Sequence, residues 1–164
     1  RRSKQSLLQL LDRLTRANRQ LQPDTALDPE AFSLALRRVR EVLRPGSLSV
    51  VLCDERTLTD AAEQQLGLLA RHVDLLLLPI HDPLDHALPA AGLLRFSQGN
   101  AGLELDTHDA GLRQRYRELG EARAMRWRRL ADRLRVPLMP LDTQRDLVEQ
   151  LREHLSVQRP GNQP

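Results

Sequence analysis

At 164 residues, with 40% hydrophobic and 29% charged side chains, the chain is long enough to bury one core and too short for two comfortable domains. Only 2% of residues are aromatic and 25 cationic residues face 22 acidic ones. That argues against the base-stacking, one-sided basic surface of a nucleic-acid binder. The one cysteine, Cys53, excludes an internal disulfide and a cysteine-rich zinc site, and points to a reducing compartment. No apolar stretch reaches the roughly eighteen residues a spanning helix needs. The chain opens on Arg1-Arg2 without a methionine and reads as a piece of something longer. A cytoplasmic location is expected, with membrane association of the full-length protein left open.

From about Lys4 to Leu21, leucines 7, 10, 11, 14 and 21 recur at helical spacing, predicting an amphipathic helix. Gln22-Pro-Asp-Thr25 breaks it. Asp28-Pro-Glu30 starts the next, with Asp28 as N-cap, Pro29 at the first helical position and Phe32, Leu36, Val39 and Leu43 as the buried stripe. Arg44-Pro-Gly46 ends that helix.

Leu48-Ser-Val-Val-Leu-Cys-Asp54 then reads as a buried strand ending on a carboxylate. Thr59 is placed to cap a helix from about Asp60 to Arg71, with Ala62, Leu66, Leu69 and Ala70 inward. Val73 to Ile80 is a second strand, and the strand-helix-strand order implies a parallel pair. An irregular connection from Asp82 to Gly92 leads to a hairpin of Leu93–Phe96 and Leu103–Asp106.

The longest helix is predicted over Ala110–Arg135, with Gly120 a candidate kink. Its nine arginines read either as a solvated face balanced by Glu118, Glu121 and Asp132 or as a partner surface. Val136-Pro-Leu-Met-Pro-Leu141 reads as a short edge strand. Thr143 and Asp146 resemble a capping box for a last helix that aligns Leu147, Leu151 and Leu155. The whole is a single α/β domain over residues 1–157, with about five helices, a short parallel sheet and a small β-hairpin. A disordered tail is expected over 158–164.

All three parallel strands end on an aspartate: Asp54, Asp82 and Asp142. Such a rim would suit a hard cation such as Mg2+, although aspartates after strands also cap helices and shape turns. Residues His72, His81, His86, His108 and His154 show no metal-ligand spacing and read as surface or loop residues. Cys53 reads as a small buried hydrophobe.

The elements Leu43-Arg-Pro-Gly-Ser-Leu-Ser-Val-Val-Leu-Cys-Asp54, Leu68 to Leu78, Asp82-Pro-Leu84, Leu88-Pro89 and Gly92 resemble the C-terminal half of the bacterial domain-of-unknown-function family fifty-eight, from about Leu7 to Leu155. That family is related to von Willebrand factor A domains. The resemblance implies a partial Rossmann-like three-layer sandwich and a metal-ion-dependent adhesion site holding Mg2+, with Asp54 and Thr25 as metal ligands. Glu55 and Asp82 would then meet a protein partner. The family's Asp-x-Ser-x-Ser motif is absent, and Cys53-Asp54-Glu55 stands where relatives have Ser-Asp-Phe, so the site is expected to be incomplete in this chain.

The implied function is non-enzymatic: a protein-interaction module acting with a MoxR-type AAA ATPase in assembly or maturation of other proteins. The alternative is a receiver-like or hydrolytic α/β domain using Asp54 as phosphoacceptor or base. With its sequence-distant neighbour missing, the strand ending at Asp54 is also expected to expose an apolar edge, through which the chain could form a homodimer.

Overall fold

The computed structural model describes residues 4–21, 28–98 and 101–157. Thr25 and the expected tail at 158–164 lie outside them. Among the described residues are six helices, a three-stranded parallel sheet and a two-stranded antiparallel one. They form two compact units. One contains helix α1 (Lys4–Arg19) and the antiparallel pair β3 (Leu93–Gln98) and β4 (Ala101–Asp106). In that pair Arg95 stands opposite Glu104, a favourable cross-strand charge pair. Helix α1 is amphipathic, as its leucine spacing predicts, yet it buries no residue.

The other unit is built on strands β1 (Leu48–Asp54), β2 (Asp74–His81) and β5 (Leu141–Asp142), in the order β1-β2-β5 and all parallel. Around them lie α2 (Ala31–Val42), α3 (Asp60–Leu69), the short α4 (Pro83–His86), α5 (Ala110–Leu134) and α6 (Leu147–Val157). The main core forms where Val51 of β1 and Leu75 and Leu77 of β2 meet Leu36, Leu66, Leu69, Trp127 and Leu130 of the helices. Each fully buried large side chain there contributes about 1.5–3 kcal/mol. Thr59 accepts from the Ala62 amide and caps α3, as the sequence predicts.

Several expectations are corrected. Helix α2 begins at Ala31, because Asp28 uses its carboxylate on the Glu30 amide and so shapes a turn ahead of the helix. The stretch after Asp82 contains α4, whose capping box pairs Asp82 with Asp85. The edge strand predicted from Val136 shrinks to Leu141–Asp142 plus an isolated bridge between Leu77 and Leu138. Pro140 has no amide to continue the ladder.

At the start of α6 it is Asp146 that accepts from the Glu149 amide, while Thr143 turns away to donate to Asp82. Of the three leucines aligned on α6, Leu151 packs on the sheet and Leu147 and Leu155 stay exposed.

The two faces of the sheet are covered unequally. Alternation sends Leu76, Leu78 and Ile80 of β2 to the side where Leu151, Met139 and Leu141 pack. The parallel register puts Val50 beside Leu76 and Leu52 beside Leu78 on that side. Leu48, Val50 and Leu52 of β1 nevertheless remain 63%, 46% and 58% exposed.

Candidate functional site

Ligands of open parallel sheets bind beyond the carboxyl ends of the strands, and here that end is formed by Asp54, His81 and Asp142 with the residues that follow them. Each aspartate of the rim has a local task. Asp54 accepts from the Arg56 amide at 2.7 Å, while Arg56 Nε and Nη2 reach its two oxygens at 3.0 and 2.7 Å. These hydrogen bonds hold the Asp54 carboxyl below its ordinary range, outweighing partial burial. The same guanidinium lies 3.7 Å from Asp85.

Asp82 caps α4 with one oxygen and accepts from the Thr143 hydroxyl with the other at 2.7 Å, which lowers its pKa. Asp142 accepts from the Gln144 amide. All three fulfil the turn-shaping role of aspartates after strands.

This bears directly on a magnesium ion at Asp54. Both oxygens of that carboxylate are engaged by a cation already present in the chain, and a divalent ion would have to displace the like-charged Arg56. The geometry around Asp54 therefore does not fit an open magnesium site.

A different cluster lies beside it. Glu55, expected at a partner surface, is only 4% exposed because the turn after β1 points it inward. Its Oε2 lies 2.7 Å from His86 Nε2, and its Oε1 is buried without a hydrogen-bond partner among the described residues. His81 packs against His86 with ring centroids 4.8 Å apart. Ligand atoms of Glu55, His81 and His86 all lie within 4.8 Å of one another, so the three could hold a metal ion. They open into a cavity of about 440 Å³ that also touches Glu121, Met125 and Arg128.

Helix α5 fixes this cluster from behind. Trp127, buried, donates from Nε1 to the Glu55 carbonyl at 2.9 Å. Tyr116 donates to the Leu84 carbonyl at 2.8 Å and Arg123 to that of Asp85. Gly120 is no kink: α5 runs unbroken through it, and a Cβ there would lie 2.8 Å from His86 Cα. Glycine is what lets α4 approach so closely. The arginines of α5 are partly structural, since Arg126 and Arg133 both bind Glu63 of α3.

Sequence reasoning treats His81 and His86 as separate loop residues and misses their meeting with Glu55. The available signal is register. Asp54 pairs with Ile80, so the next residues along the two segments, Glu55 after β1 and His81 at the end of β2, become neighbours.

Compared with known protein families, residues 1–126 match the family model described as "Protein of unknown function DUF58". The matched region contains Asp54, Glu55, His81 and His86 and ends within α5. No curated protein and no solved structure matches the chain.

Proposed function

The chain belongs to the DUF58 family, and from that premise we propose that it is a non-enzymatic protein-interaction module working beside a MoxR-type AAA ATPase in the assembly or maturation of other proteins. The observation that supports the reading most is the uncovered side of β1. That strand stands at the edge of the sheet and, among the described residues, has a strand partner on one side only. Its other side offers backbone donors and acceptors, and Leu48, Val50 and Leu52 offer an alternating apolar face. An extended segment of a partner adds to such an edge by main-chain hydrogen bonds and reads the side chains at every second residue.

The test is binding of the immobilised 164-residue chain to a purified MoxR-type AAA ATPase, with magnesium added and omitted. Saturable binding is expected, at equal affinity in the two arms. Leu52→Asp should weaken it at least about tenfold, by putting a charge into the apolar contact. Leu119→Asp, on the exposed face of α5, should leave it unchanged. Absence of saturable binding, or a Leu52→Asp chain that binds like the parent, would overturn the reading.

A further inference from the structure

We propose that Glu55, His81 and His86 form a binding site for a divalent transition metal of the zinc class. Two imidazoles and one carboxylate are the donor set such an ion prefers, whereas magnesium demands oxygen ligands. The ligand atoms lie within 4.8 Å of one another. A tetrahedral ion with bonds of about 2.0–2.2 Å would draw them to roughly 3.3–3.6 Å, a contraction within reach of side-chain rotation.

The second observation is the unpartnered carboxylate oxygen. Glu55 is 96% buried, taking its 4% exposure from the whole, and its Oε1 has no donor among the described residues. A buried acceptor left in that state is unfavourable, and coordination of a cation would satisfy it. The oxygen does not stand there by looseness of the chain: Trp127 pins the Glu55 backbone and Gly120 sets the distance of α4.

Three protein ligands leave a fourth position open, as in zinc sites that admit an exchangeable ligand. The cavity of about 440 Å³ is lined by Glu55, His81 and His86 together with Glu121 and Arg128. A water or a small anionic donor therefore has room to complete the coordination. This proposal uses residues other than those of the β1 face, so either reading can fail without the other.

The experiment uses the 164-residue chain stripped of metal and titrated with zinc chloride by calorimetry, and with cobalt chloride by visible absorption. One equivalent of each should bind, with cobalt bands of a histidine-ligated site and no competition from equimolar magnesium. Glu55→Gln and His81→Asn should each reduce affinity by about 100-fold or more, since even indirect supports of a metal ligand are worth about 10–100-fold. His81 is partly exposed, so its variant should keep the parent's circular dichroism. The exposed His72, replaced by asparagine, serves as control and should bind like the parent. The proposal is overturned if the parent takes up no metal, if His81→Asn binds as tightly as the parent, if His72→Asn loses affinity equally, or if magnesium competes.

Discussion

Replacing Gly120 by alanine should push α4 off α5 and pull His86 away from Glu55. The added Cβ would lie 2.8 Å from His86 Cα and 3.1 Å from the Asp85 carbonyl oxygen, both backbone atoms. Comfortable carbon contacts begin near 3.5 Å, so α4 must withdraw by about 0.7 Å or more. Carried into the 2.7 Å contact between His86 and Glu55, that shift takes it to the limit of a hydrogen bond.

Overpacking of this kind costs about 1–3 kcal/mol, and alanine returns up to about 1 kcal/mol through its helix propensity. A net loss of roughly 1 kcal/mol is therefore expected by urea unfolding, with helix content kept and the His86 ring resonances shifted in NMR. A higher midpoint with unmoved His86 resonances would refute the close-approach role of Gly120.

Trp127→Phe keeps an aromatic ring but leaves the Glu55 carbonyl without its donor, and should cost about 1–3 kcal/mol; a loss below about 0.5 kcal/mol would show that this bond is replaceable. Glu63 loses solvation on burial, which raises its pKa, but hydrogen bonds from Arg133 and Arg126 outweigh this and bring it below the ordinary 4.5. A depressed carboxyl stabilises the fold above its unfolded pKa and loses that contribution as pH falls through the folded value. Glu63→Gln should thus be less stable than the parent by about 1 kcal/mol at pH 7, with the gap closing below about pH 4; a gap independent of pH would contradict the charge pairing. Burial pushes the Cys53 thiol up to about 11, so alkylation at pH 8 should run about 100-fold slower than for a free thiol, and labelling at the free-thiol rate would contradict the buried reading.

Where local chemistry decides, the sequence is a sound guide. The apolar run between Arg44-Pro-Gly46 and Glu55 sets both ends of β1, and Thr59 caps α3 because a hydroxyl before a helix has an amide to bind. The Val136–Leu141 strand fails because its composition suits a strand while Pro137 and Pro140 remove the donors a ladder needs. Thr143 fails as a helix cap because a carboxylate from a neighbouring strand end, Asp82, is within its reach.

The candidate site is the least legible part. Glu55 is thirty-one residues from His86, and they meet through the parallel register of β1 and β2 and the seating of α4 on Gly120. Neither is written in a local pattern. The acidic rim, by contrast, is visible as three aspartates, but its hydrogen bonds to Arg56, Thr143 and the turn amides emerge only in the fold.

Hydrogen–deuterium exchange of the 164-residue chain with and without the MoxR-type AAA ATPase tests the interaction reading most directly, because the edge amides of β1 report their own pairing. Slowed exchange confined mainly to residues 48–54 on adding the ATPase is the predicted result. Protection elsewhere with β1 unchanged would contradict it.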